Sequence, residues 1–165
     1  MQDQPLKSAL SEVLRQVLEQ TAFVFVDSET TLENIDATSL ELIRISVSFS
    51  GAREGSVSLI LPLELCREFS NNMLGQPPSD SDSRESQIDA AKEVANIMTG
   101  QLLTEIYGKQ EIFSQSAPEV SELPLDQFYK VLEENEYNCS SVDDYPVIVM
   151  MSEARREHEH QGLSR

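Results

Sequence analysis

Two alternating runs joined by a glycine-bearing turn constrain this chain more than any other feature. Leu40, Leu42, Ile43, Ile45, Val47 and Phe49 mostly alternate with polar residues, and Val57, Leu59 and Leu61 alternate again after Ser50-Gly51-Ala52-Arg53-Glu54-Gly55. Successive strand side chains point to opposite faces, so both runs bury one face only, which predicts an antiparallel hairpin packed on a core. Pro62 ends the second strand and suits the first turn of a short helix reaching about Leu74, where Gly75 stops it.

The flanking segments extend this frame. Leu6, Leu10, Val13, Leu14, Val17 and Leu18 recur at three and four, the stripe of an amphipathic helix. Thr21 to Val26, β-branched and aromatic, is predicted as a strand, followed by a polar stretch from Asp27 to Thr38. Gln76 to Gln87 is an acidic Pro/Ser loop that ends in Asp82-x-x-Glu85, which resembles a helix-capping arrangement. The longest helix then runs to Tyr107 and closes at Gly108. Glu111 to Ser121 holds a strand that includes or borders Pro118, and Leu125 to Leu132 a short helix. Tyr137–Val142 and Val147–Met151 form a closing strand pair around Asp143-Asp144-Tyr145-Pro146. The expected fold is α+β, a largely antiparallel sheet with two long helices packed on one face. A single domain is expected over 1–152, with 153–165 a charged, flexible tail.

Charge narrows the functional classes. Among 165 residues, 29 are acidic and 12 basic, a formal charge of −17. Such a chain repels phosphate backbones and anionic lipid, which speaks against nucleic acid and membrane surfaces and favours a partner with basic residues. No run approaches the ~18 apolar residues of a membrane span, and Met1 to Lys7 lacks an export signal. Cys66 and Cys139 show no paired spacing, so neither a disulfide nor a metal framework is expected, and the compartment reads as cytoplasmic. His158 and His160 alternate with Glu157 and Glu159 in the tail, a pattern that a solvated tail explains better than a metal site. With both histidines there, a Ser-His or Cys-His mechanism has no ordered base. The six glycines are scattered singly, so no phosphate loop is formed.

The long helix carries the remaining chemistry. At about 100° per residue, Ile88, Ala91, Ala95, Met98, Leu102 and Ile106 share one face, while Asp89, Glu93, Asn96, Gly100 and Thr104 fall opposite. Glu93 and Asn96, three apart, project together from neighbouring turns. Gly100 on the same side permits close approach by another backbone. On geometry alone the strip fits a docking surface or an ordinary solvated helix face.

Asp89-x-x-x-Glu93-x-x-Asn96, followed at a distance by Pro118, resembles the signature of the CheC/CheX chemotaxis phosphatases. The Gly55-Ser-Val-Ser-Leu-Ile-Leu strand, the Met73-Leu74-Gly75 helix end and Gly100 are similar to CheX, and the similarity covers roughly Leu40 to Val120. A second Glu-x-x-Asn, Glu68-Phe69-Ser70-Asn71, has Glu64 in the leading position and no proline at the family distance, so it is taken as coincidental. The twenty-one residues from Ile97 to Ala117 are one fewer than the family pattern has, which leaves the role of Pro118 open.

The resemblance implies a phosphatase hydrolysing the aspartyl-phosphate of a CheY-type response regulator. Asn96 would position the attacking water and Glu93 would pair with the regulator's lysine, with Asp89, Gly100 and Pro118 as partner-binding residues. It implies no cofactor of the chain's own, Mg2+ being supplied by the phosphorylated regulator, and a homodimer built by edge-strand pairing, for which Tyr137–Val142 and Val147–Met151 are the candidates. A non-catalytic module binding a regulator or signalling component through the same helix uses the same residues.

Overall fold

The computed structural model describes residues 3–75 and 83–154. Helix α1 (Asp3–Val17) leads into one π-helical turn at Leu18–Ala22. Strand β1 (Ser28–Glu29) precedes the hairpin β2 (Leu42–Gly51) and β3 (Gly55–Pro62). Helices α2 (Leu63–Leu74) and α3 (Arg84–Tyr107) follow, then β4 (Phe113–Gln115), β5 (Glu119–Glu122), α4 (Leu125–Glu133), β6 (Glu136–Val142) and β7 (Tyr145–Glu153). The seven strands form one sheet in the order β1-β6-β7-β3-β2-β4, with β5 also pairing β2, and every pairing is antiparallel.

The predicted hairpin stands in full register, Ile43 against Leu61, Ile45 against Leu59 and Val47 against Val57. Those side chains, with Val147, Val149 and Met151 of β7, face α1, α2 and α3 and form the main core. Leu42, Ile60, Ile148 and Met150 occupy the opposite face. There Phe128 and Leu132 of the short α4 cover them, while the two long helices α1 and α3 share the first face as expected. A fully buried β3 from Val57 to Pro62 follows from this double covering. Two aspartates with positive φ, Asp143 (51°) and Asp144 (66°), make the β6–β7 turn, the conformation that a tight hairpin connection of this hand demands.

The strand expected at Thr21–Val26 does not form. Its side chains still alternate, Ala22 and Val24 buried while Phe23 and Phe25 are exposed. However, the π-helical turn continues from α1, and Phe23 adopts a left-handed φ of 56° with its N–H on the Leu18 carbonyl. Pairing with β6 begins only where Asp27 N donates to Ser141 O at 2.8 Å. Helix α2 starts from Pro62 at its N-cap and ends at Gly75, φ 64°, as predicted. The α3 cap lies one residue beyond the expected place: Ser83 Oγ accepts from Ser86 N at 3.1 Å. Asp82, most of the acidic 76–87 loop, and the tail histidines lie outside the described residues. Glu153, assigned to the tail, ends β7, and Ala154 N still bonds Glu54 O at 2.7 Å.

Candidate active site on the long helix

Burial divides α3 as its periodicity required. Ile88, Ala91, Val94, Ala95, Met98, Thr99, Leu102 and Leu103 are buried, whereas Asp89 and Glu93 are exposed and Asn96 and Gly100 half-exposed. Among the described residues, neither the Glu93 carboxylate nor the Asn96 carboxamide has a hydrogen-bonding partner, so both are available to an incoming molecule. Asp89 instead lies 3.7 Å from Lys92 in an exposed ion pair, an arrangement worth little to stability.

Helix α3 is held at both ends of this strip. At its start Arg84 pairs with Glu41, and with Glu122 at 2.8 Å. An arginine there opposes the helix dipole, and the two carboxylates offset it. Twelve residues on, the Asn96 carbonyl accepts from Gln115 Nε2 at 3.2 Å. Helix α3 therefore runs antiparallel along β5 and β4. The segment between these strands, Ser116-Ala117-Pro118, interrupts the pairing, and Ser116 keeps it attached through its N–H on Ser48 O at 2.9 Å. Pro118, half-buried, lies between the two points, Gln115 and Glu122, at which this stretch of chain is tied to α3. The proline, twenty residues away in sequence or more from either member of the pair, thus shares their edge of the molecule.

Gly100 has a nearer neighbour than a partner. A Cβ built there would stand 3.3 Å from Gln115 Oε1. Gln115 was not singled out in the sequence. Its alternation with Phe113 is legible, but nothing local indicates that β4 lies beside α3. Toward α1, Asn96, Ile97, Gly100, Gln101 and Thr104 line a shallow groove of about 380 Å³ shared with Val13 and Gln16. Asn96 therefore stands at the rim of a depression with room for a partner's side chains.

The second Glu-x-x-Asn lies on α2 in different surroundings. Phe69 and Ser70 between its ends are buried, and the Asn71 carbonyl is taken up by the Gly75 cap. Burial, then the hydrogen bond and like charge of Asp143, push the Glu68 carboxyl above its ordinary range. Asp143 N in turn donates to Asp27 Oδ2 at 2.9 Å. Glu68 thus belongs to a packed contact between α2 and the β6–β7 turn. Burial also raises both thiols, Cys66 and Cys139, to about 12, which removes them as nucleophiles. Among the described residues no cluster of three or more His, Cys, Asp or Glu comes together to hold a metal ion, and no helix is long and apolar enough to cross a membrane.

An α+β fold of one antiparallel sheet with helices packed on it is the fold of the solved CheX and CheC-like chemotaxis proteins. The family described as chemotaxis phosphatase CheX matches residues 43–124, about half the chain, and the chain belongs to the CheC/CheX family. CheC of Bacillus subtilis strain 168, described as a CheY-P phosphatase, is 28% identical over 120 residues, which make up 71% of this chain and 56% of CheC. The chain thus spans little more than half the length of that relative. The CheX structure from Vibrio vulnificus superposes with a TM-score of 0.66 at 16% identity, covering 90% of this chain and 96% of that one. CheX in the CheX–CheY–BeF3–Mg2+ complex from Borrelia burgdorferi gives 0.59 at 18%, covering 92% and 96%. At these identities the structural likeness speaks for the fold.

Proposed function

We propose that this protein is a phosphatase for the aspartyl-phosphate of a CheY-type response regulator. The observation that carries the reading is the neighbouring pair Glu93 and Asn96, unpartnered among the described residues on the outer turn of α3 in a CheC/CheX fold. Hydrolysis of a phosphoaspartate needs a water placed in line with the phosphorus–oxygen bond and little covalent help. The Asn96 carboxamide enters the regulator's pocket and orients that water, since it can both donate and accept while uncharged. A carboxylate in its place would repel the phosphoryl group. Glu93 pairs with the regulator's lysine and sets the depth and angle of insertion. Mg2+ belongs to the regulator, where it neutralises charge on the phosphoryl oxygens. Catalysis is then mainly positioning.

Asp89 and Pro118 flank the pair along one edge and complete the docking strip, and the groove beside α1 receives side chains from the partner's rim. A net charge of −17 gives no overall attraction toward an acidic phosphorylation site, so recognition is local and relies on basic residues around it. Support for CheY-type partners comes from the relatives: CheC is described as acting on CheY-P, and CheX of Borrelia burgdorferi forms a complex with CheY. The test is phosphate release from a phosphorylated CheY-type regulator with Mg2+, which should quicken with this protein. Binding without faster release would favour a non-catalytic module that uses the same helix.

Strand pairing across an edge to give a homodimer is also proposed, on a corrected site. Strand β7 lies inside the sheet, paired by β6 and β3, and cannot serve. Strand β6 is covered by β1 only around Ser140 and Ser141, leaving Glu136–Asn138 as an open edge among the described residues. This edge lies at the far side of the sheet from β4, so dimerisation there leaves α3 clear.

A further inference from the structure

Gln115 occupies a place that only the fold reveals. Phe113 anchors β4, with its ring 5.8 Å from Phe49 edge-on and 5.3 Å from Tyr107. Two residues on, Gln115 points to the same side of the strand and so reaches over α3. Its Nε2 donates to the Asn96 carbonyl at 3.2 Å, the carbonyl that also receives the helical N–H of Gly100. Its Oε1 lies 3.3 Å from where a Cβ of residue 100 would stand. Glycine is a costly residue inside a helix, and here its missing Cβ spares the Gln115 amide a tight contact, one that would push it away by a few tenths of an ångström.

We propose that Gln115 is a positioning residue for Asn96, a clasp from the sheet edge that fixes the Asn96–Gly100 turn, and that Gly100 is the gap which admits it. The proposal rests on Asn96 as the water-positioning group. With no side-chain partner of its own among the described residues, the Asn96 carboxamide takes its position from its backbone. That backbone lies on the exposed side of a surface helix, where the clasp supplies a second, non-helical tie. Small misplacements of a positioning group are expensive in rate, so the clasp acts on turnover more than on association.

Gln115→Met keeps length and neutrality but cannot donate. For dephosphorylation of a Mg2+-loaded, acetyl-phosphate-labelled CheY-type regulator, kcat should fall about three- to tenfold while KM and Tm stay within error of wild type. Gly100→Ala should show a smaller loss of kcat in the same direction by crowding the amide, and the double variant should be no worse than Gln115→Met alone, since both act on one contact. In the free protein, amide hydrogen exchange at Gly100 should quicken about three- to tenfold in Gln115→Met, with distant α3 amides unaffected. A raised KM with normal kcat makes Gln115 a regulator contact and overturns the proposal, as do unchanged kcat and unchanged exchange. Should Gly100→Ala fail to fold, Gln115→Met decides alone. If wild type releases no phosphate from any cognate regulator, the phosphatase reading fails, and the exchange measurement still decides the clasp.

Discussion

Glu93 and Asn96 share a turn, yet their chemistry predicts different losses. A carboxylate that pairs with the regulator's lysine stabilises the complex before and during reaction, so Glu93→Ala should raise KM about fivefold or more, with a smaller fall in kcat. Steady-state release of phosphate across regulator concentrations measures both, and an unchanged KM would remove Glu93 from the contact. Glu68, in the coincidental copy of the motif, instead predicts a stability effect. Its carboxyl is raised by burial and by Asp143, so the fold favours its protonated form. That stabilisation is present below the ordinary value of 4.5 and is lost as pH rises through the higher folded value. At neutral pH an ionised Glu68 faces Asp143, and Glu68→Gln should therefore raise Tm at pH 7. The gain should be under about 1 kcal/mol because solvent screens the pair. It should shrink in melts below about pH 4.5, and equal shifts at both pH values would contradict the assignment.

The hairpin is the element on which the sheet is built, and its turn tolerates little. A Cβ at Gly55 would come within 2.1 Å of Ser152 O and 2.8 Å of Phe49 Cζ, wedged between β3, β7 and β2. Gly55→Ala should destabilise by about 2–4 kcal/mol in urea unfolding, and a change under about 0.5 kcal/mol would mean that the strands part freely there. This hairpin, α2 and α3 were all legible in the sequence, because a steady period of two or of three to four ran between clear stops at Pro62, Gly75 and Gly108. Glu93, Asn96 and their outward face were legible for the same reason. Thr21–Val26 was not, since β-branched and aromatic residues also suit an extended connector, and only the left-handed turn at Phe23 decides that no ladder forms. The second core under α4 escaped notice because Ile60 and Ile148 sit within runs whose other face was already accounted for. Gln115 and the placement of Pro118 depend on which strand lies beside α3, a long-range pairing that no local pattern encodes.

At the scale of the whole molecule, a strand-paired dimer through the Glu136–Asn138 edge predicts a sedimentation coefficient near that of twice 18.5 kDa at micromolar concentration, and a lone 18.5 kDa species would rule it out. The layout separates tasks: one edge of the sheet carries β1 and the open part of β6, the other carries β4, β5 and the flank of α3. The central claim concerns that second edge alone. It is tested most directly by single-turnover decay of a phosphorylated CheY-type regulator with Mg2+, comparing saturating wild type with Asn96→Ala. Asn96 is half-exposed and its carboxamide has no hydrogen-bonding partner among the described residues, so the variant's Tm should hold. The account predicts rapid decay with wild type and a rate at least about a hundredfold slower with Asn96→Ala, while binding to the regulator persists. Equal decay rates for the two proteins, both faster than the regulator alone, would show that the water is positioned elsewhere and would contradict the account.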